Sequence, residues 1–191
     1  MRYMKCIRLA IVMILLFGLG YPAFMTGIAQ TLFPHQANGS IVYNDENKAV
    51  GSELIGQSFQ DPRYFHGRIS SINFDAAASG SPNYAPSNEE MIQRTEKAAE
   101  EWLKKNPGKT KEEVPLDLIT NSGSGLDPHI SPAAAFFQVP SVAKATGLSE
   151  EQLNNLVKKH IEGRVLGIFG EPRVNVLKLN MELQKMIQGK S

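Results

Sequence analysis

Between Leu9 and Ala29 the chain reads LAIVMILLFGLGYPAFMTGIA, 21 residues without a charge. As a helix rising about 1.5 Å per residue, this stretch reaches roughly 30 Å, the thickness of a bilayer core. Arg2, Lys5 and Arg8 stand before it, and they are the only Lys or Arg in the first 47 residues. A buried helix of a water-soluble domain has no use for such a basic flank. A cleaved leader is the competing interpretation, because Gly27-Ile28-Ala29 resembles a cleavage site. The length of the apolar run, with Pro22 well before its end, favours a retained anchor. Pro22 removes one backbone donor and is expected to kink the helix.

Positive residues stay on the cytoplasmic side of a span. The expected order is therefore residues 1–8 in the cytoplasm, 9–29 across the membrane and 30–191 outside, as a single-pass protein of the cell's inner (plasma) membrane. Without its basic head the chain carries 17 Lys and Arg against 19 Asp and Glu, a net −2. No basic stripe is present, so no nucleic-acid partner is expected; membrane lipid is. Cys6 is the only cysteine, so no intrachain disulfide forms, and it precedes the apolar run, the wrong place for a lipoprotein cysteine. One helix builds no pathway for a solute, so a role in transport requires other membrane chains.

The remainder reads as one mixed α+β domain, giving an α+β fold class with a single N-terminal transmembrane helix. QANGSIVY ends in an alternating apolar stretch, AVGSELIGQSF reads as a strand carrying glycines, and YFHGRIS as a strand or extended piece. Phe74 to Asn88 is a long loop rich in Ala, Ser, Gly, Pro and Asn. Ser87, with Glu90 three residues on, is expected to cap a helix whose inner face carries Met91, Thr95, Ala98, Ala99 and Trp102. NPGKTKEE is a solvated connector. Ser131-Pro132 opens the next helix, which Pro140 is expected to interrupt and Gly147 follows. Ser149 and Gln152 form a capping box, with Leu148 and Leu153 placed as a hydrophobic staple and Leu153, Leu156, Val157, His160 and Ile161 inward. RVLGIF and RVNVLKL read as strands, and Asn180 as the cap of a last helix.

SGSGLDPHIS, Ser122 to Ser131, concentrates residue types that do chemistry. Triad members converge from separate elements, and no G-x-S-x-G elbow occurs. A membrane-anchored or secreted serine hydrolase using Ser124 and His129 stays as the alternative. A phosphate loop would need a lysine that does not follow. The four histidines, His35, His66, His129 and His160, include no i, i+4 helical pair, so no metal ligand is assigned. Asn38-Gly39-Ser40 matches a glycosylation sequon, a pattern common by chance. The remaining interpretation is a tight turn. Gly123 and Gly125 would take left-handed φ or allow close backbone approach, Asp127 would accept backbone amides, and His129 would pack and make one hydrogen bond. No catalytic residue is assigned, which favours binding or assembly over catalysis.

Five stretches, YPAFMTGIAQTLFPHQANGS, VGSELIGQSF, YFHGRIS, NSGSGLDPHISPAAAFFQV and GEPRVNVLKLN, occur in an order that resembles the C subunit of the Kdp-type potassium-transporting ATPases of bacteria and archaea. The family often has R-P-S where this chain has Arg68-Ile69-Ser70, G-G-S-N near Gly80 to Asn83, and arginines near Ser141 and Thr146 that are absent here. The resemblance nominates, as structural or interface positions, Gln36, Asn38, Gly39 and Ser40; Gly56 and Gln57; Ser122, Gly123, Ser124, Gly125, Asp127 and His129; and Gly170, Glu171, Pro172 and Asn175. It implies two partners, a channel-like potassium-binding subunit and a P-type ATP-hydrolysing subunit. ATP and potassium would be handled by the complex, and no cofactor is assigned to this chain. The family is described as stabilising the complex and as a chaperone raising ATP affinity of the catalytic subunit. The expected topology keeps the large domain away from cytoplasmic ATP. It is expected to cap the outer mouth of the channel subunit, with any effect on ATP affinity transmitted by linkage.

Overall fold

A computed structural model describes residues 2–189. The apolar run lies inside a helical stretch from Tyr3 to Leu32, 30 residues long and apolar enough to cross a membrane. It consists of α1 (Arg2–Leu15), a π turn at Leu16–Gly20, and α2 (Tyr21–Leu32). That π turn ends two residues before Pro22. Tyr21 N–H bonds to the Leu16 carbonyl, five residues back, and Pro22 follows directly in α2. Every side chain from Tyr3 to Gly27 is exposed. A four-residue helix, α3 (Pro34–Ala37), follows; Asn38 is its C-cap, and Gly39 after it has φ +82°.

The chain divides into two compact units between Val42 and Tyr43. Two short strands, β1 (Ile41–Tyr43) and β2 (Ala49–Ser52), stand either side of a turn. Of the expected strand AVGSELIGQSF only these first four residues are β; the rest is turn and loop. The second unit continues with α4 (Glu89–Lys105), a single 3₁₀ turn at Lys111–Glu113 and the short α5 (Leu116–Ile119). Next come β3 (His129–Ile130), α6 (Pro132–Thr146), α7 (Glu150–Lys159), β4 (Ile161–Glu162), β5 (Arg173–Asn175) and α8 (Val176–Gln188). β5 is the middle strand of an antiparallel sheet, pairing His129 with Asn175 on one side and Ile161 with Val174 on the other. α6 and α8 pack on β5, and α7 packs between α6 and α8 in sequence and space. The core gathers Phe65, Trp102, Leu118, Ile130, Val142, Leu153, Val157, Val174, Leu179 and Leu183.

Several local expectations shift by one residue or one element. The cap of α4 is Asn88, not Ser87: its side chain accepts from Met91 N–H at 3.0 Å. Both residue types cap well, and the later one has the extended backbone. Pro140 does not interrupt α6. It lies exposed within a continuous helix. A mid-helix proline costs about 3 kcal/mol, but Gln138, Val139 and Val142 around it are buried, and two buried valines contribute roughly 1.5–3 kcal/mol each. Ile161 has left the helix and lies in β4, because α7 stops at Lys159. RVLGIF is an exposed turn rather than a strand, closed only by a Val165–Phe169 bridge. RVNVLKL splits: Arg173–Asn175 is β5, and the rest begins α8. Asn175 caps that helix by accepting from Lys178 N–H at 3.2 Å. Asn180, expected as the cap, is inside it.

Asn180 and Gln138 explain what YFHGRIS is. Buried Asn180 accepts from Phe65 N–H at 2.9 Å and donates to Phe65 C=O at 2.8 Å. Buried Gln138 accepts from His66 N–H at 2.8 Å and donates to His66 C=O at 3.1 Å. Two helix-borne amides thus satisfy backbone groups that a neighbouring strand would otherwise satisfy. Phe65 is buried and its neighbours are half-buried, and the segment meets another only through a bridge from Ile69 to Asn121, without forming a strand of a sheet.

The His66 ring lies 5.6 Å from the Trp102 ring, centroid to centroid, and Lys105 stands 4.8 Å over that indole. Burial, reinforced by the Lys105 charge, lowers the His66 pKa from 6.5 to about 4. Between about pH 4 and pH 6.5 the folded domain therefore holds His66 neutral while the unfolded chain protonates it. Stability is complete above pH 6.5 and declines as pH falls toward about 4. The expected decline is roughly 2–3 kcal/mol, and His66→Phe, which keeps a ring against Trp102, removes this part of it. Urea unfolding of the detergent-solubilised protein at pH 7 and pH 4.5 measures both; an equal acid loss in the variant refutes the assignment to His66.

Candidate interface site

The turn from Asn121 to Ile130 is a junction of four chain segments. Ser122 is buried, and its N–H bonds to Ile69 C=O at 3.1 Å. The Ser124 hydroxyl accepts from Leu126 N–H at 3.1 Å, and Ser124 C=O accepts from Gly80 N–H at 2.9 Å. Leu126 C=O accepts from Gly56 N–H at 2.7 Å, and Pro128 C=O from Val176 N–H at 3.0 Å. Asp127 Oδ1 accepts from His129 N–H at 3.0 Å and lies 3.6 Å from His129 Nδ1. Its Oδ2 accepts from Arg68 Nη1 at 3.1 Å. Arg68 Nη2 donates to Asn121 C=O at 3.2 Å, closing the base of the turn.

The two glycines of SGSG are not equivalent. Gly125 has φ +73°, and an added Cβ would sit 2.6 Å from Ile72 Cγ1 and 3.2 Å from Gly80 C=O. Gly123 has neither a left-handed φ nor any atom within 4 Å of an added Cβ. The expectation for Gly123 is corrected: its neighbours lie along the open side of the turn, so nothing there demands glycine.

Gly56 and Asn175 join the same junction from other segments. A Cβ on Gly56 would lie 2.6 Å from Asp127 C=O, a backbone atom that cannot rotate away. Asn175 donates to Glu53 C=O at 2.9 Å, tying β5 to the loop that leads to Gly56. Gln57 points back along its own loop and donates to Val50 C=O at 2.9 Å. Glu171 and Pro172 border an open depression of about 530 Å³ beside Arg68, Asp117, Asp127, His129 and Arg173. Gly170, with φ +78°, is the hinge that returns the chain to β5. Gln36, Asn38, Gly39 and Ser40 belong to the other unit. There Asn38 donates to Pro34 C=O at 2.7 Å, Gly39 N–H bonds to Gln36 C=O at 3.0 Å, and Ser40 N–H to His35 C=O at 2.9 Å. They finish α3.

Burial would raise the Asp127 pKa, but the His129 ring and amide and the Arg68 guanidinium outweigh it and hold the carboxyl below 3.8. The Asp127–His129 pair is the half of a triad that the turn does contain. Ser124 is engaged with backbone: its hydroxyl accepts from Leu126 N–H and its carbonyl from Gly80 N–H. Among the described residues no cluster of His, Cys, Asp and Glu has metal-holding geometry. What the arrangement does chemically is fix backbone.

Sequence reasoning gave no site role to Arg68, Asn121 and Gln138, and placed Asn180 as a helix cap. Arg68 was visible only as half of a departure from the usual R-P-S. Asn121 accepts from Arg94 Nη2 at 2.6 Å and donates to Ser81 at 2.6 Å, which fastens the long loop. Its place directly before Ser122 was the only available signal. For Gln138, a polar residue on an otherwise apolar helical stretch was the clue.

Comparison with known proteins gives a consistent result. Residues 3–185 match the family described as "KdpC: K+-transporting ATPase, c chain". Over 182 residues the chain is 57% identical to the "Potassium-transporting ATPase KdpC subunit" of Bacillus cereus (strain Q1), covering 95% of this chain and 94% of that protein. The proteins of the same name from Bacillus thuringiensis subsp. konkukian (strain 97-27) and Bacillus anthracis are 57% and 56% identical over the same shares of both chains.

Proposed function

The chain belongs to the KdpC family, the c chain of K+-transporting ATPases, and from that premise we propose that its work in the complex is non-catalytic. The helix between Tyr3 and Leu32 anchors it in the cell membrane as a single span, and the domain caps the outer mouth of a channel-like potassium-binding subunit beside a P-type ATP-hydrolysing subunit. One observation carries this: an apolar 30-residue helix with no covered side chain from Tyr3 to Gly27 precedes a domain whose nominated polar groups bind its own backbone. An apolar helix exposed all round needs lipid or other spans to cover it.

The basic residues Arg2, Lys5 and Arg8 support an N-terminus in the cytoplasm and a domain outside. In that orientation the domain does not touch cytoplasmic ATP. A chaperone-like rise in ATP affinity of the catalytic subunit is then a coupling through the complex, and by reciprocity ATP tightens the hold on this chain. The net charge of −2 after the basic head favours cations near the channel mouth.

Purification of the tagged full-length chain in mild detergent is expected to bring down both other subunits; its recovery alone refutes the role. A fluorescent protein that matures only in the cytoplasm, fused after Ser191, is expected to stay dark. Bright cells would reverse the topology and restore direct contact with ATP.

A further inference from the structure

Val165, Leu166, Ile168 and Phe169 are 58%, 84%, 73% and 63% exposed. Four large apolar side chains within five residues make a local patch of the kind that marks a contact surface. The segment is a shaped turn. Val165 and Phe169 exchange two backbone bonds, of 2.9 and 3.0 Å, and Ile168 N–H bonds to Val165 C=O at 3.2 Å. Leu166 and Gly167, the two central residues of the Val165–Ile168 turn inside this bridge, both have left-handed φ, +54° and +74°, the pattern of a type I′ turn. Asn or Gly usually takes the first of these places; here a leucine does, and its side chain is the most exposed of the four. Such unfavoured backbone is characteristic of sites that present a group.

The base of the turn is neutral. Arg164 Nη2 holds both carboxylate oxygens of Glu171 at 2.9 Å, and Arg173 pairs with Glu162 at 3.1 Å.

We propose that the hairpin from Arg164 to Arg173 is a docking prong, whose apolar tip seats in an uncharged apolar pocket on another membrane subunit of the same complex. The inference rests on the subunit role given above. Two observations favour a protein pocket over a lipid surface. Both arginines are neutralised by glutamates, so the base offers no net positive charge to anionic headgroups. The turn is also preorganised, which benefits binding to a shaped pocket. Four side chains bury far less than the roughly 1,200–2,000 Å² of an independent stable interface. That suffices for a second point of attachment, because the apolar helix already holds the chain in the membrane and makes docking effectively intramolecular.

The test uses the full-length chain produced together with its complex. A photo-crosslinking amino acid replaces Leu166, or exposed Lys104 on the outer face of α4 as a control. After irradiation the complex is purified in mild detergent and adducts are identified by mass spectrometry. The expected adduct from position 166 is with another subunit of the complex, and none of that kind forms from position 104. An adduct with lipid or with a second copy, or no adduct in a complex that still co-purifies, overturns the prong. Failure of the unsubstituted chain to co-purify overturns the subunit role and the prong with it. Leu166→Ser combined with Ile168→Ser is expected to shorten the half-life of the purified complex roughly tenfold or more. The chain's own unfolding midpoint should be unchanged, because both side chains are exposed; an unchanged half-life contradicts the proposal.

Discussion

Asn180→Leu is expected to destabilise the domain by about 4 kcal/mol, although the substitution is nearly isosteric and adds apolar surface to the core. Asn180 is 2% exposed and Phe65 is 0% exposed, so neither has access to solvent. The wild-type amide satisfies both the N–H and the C=O of Phe65. Leucine satisfies neither, and each buried group left unmet costs about 1–3 kcal/mol. A domain of this kind has a total stability of only about 5–15 kcal/mol, so the loss is severe. Gln138 holds the next residue of the same segment. Adding Gln138→Leu should therefore give less than the sum of two single losses, since the first already frees the segment. Urea denaturation of the detergent-solubilised chain measures all three variants. A loss under about 1 kcal/mol for Asn180→Leu would mean that water, or a shift of the segment, replaces the clamp.

Gly125→Val should cost about 3–4 kcal/mol, and Gly123→Val, two residues away, under about 1 kcal/mol. At position 125 two penalties combine. A β-branched residue resists the left-handed backbone, by roughly 1–3 kcal/mol. Its Cβ also arrives 2.6 Å from Ile72 Cγ1 and 3.2 Å from Gly80 C=O. Ile72 and the Gly80 loop must then move, although Gly80 is bonded to Ser124. Position 123 meets neither obstacle. Ser124→Ala loses one bond, to Leu126 N–H, worth about 1 kcal/mol. Denaturation midpoints rank the three, and co-purification with the complex with growth on limiting potassium reads the consequence: only Gly125→Val should abolish both. Equal damage at 123 and 125 would show that backbone conformation is not what the turn requires. Loss of ATP hydrolysis in Ser124→Ala with the complex intact would make the turn a functional site.

The features legible in the sequence are those carried by neighbours along the chain. The uncharged run announces a long helix because length and hydropathy need no tertiary partner. Ser131 with Pro132, Ser149 with Gln152, and Gly147 at φ +69° mark helix ends because a cap is a bond over three residues. The turn at SGSGLDPHIS is legible as a turn for the same reason. Its partners are not. Arg68 reaches Asp127 across 59 residues, Asn180 reaches Phe65 across 115, and Asn175 reaches Glu53 across 122. No local pattern states which backbone group a distant amide will satisfy.

That limit explains the errors over the last third of the chain. RVLGIF and RVNVLKL have the same β-rich composition, yet one is an exposed turn and the other turns from strand into helix after three residues. Composition alone could not separate them, because strand formation depends on which backbone groups find partners. β5 exists because β3 and β4 flank it on both sides. The chain then becomes helical at Val176 because the Asn175 side chain caps there while its own amide reaches Glu53. Sequence by itself determined the apolar span, the helix caps at Ser131 and Ser149 and the presence of a constrained turn, all set by short-range sterics and hydrogen bonds. Only the tertiary structure decided that Gly125 and not Gly123 is the constrained glycine, and that Asn180 is a clamp and not a cap. Both depend on atoms brought near from remote parts of the chain, where a close contact or a buried unpaired group outweighs local preference.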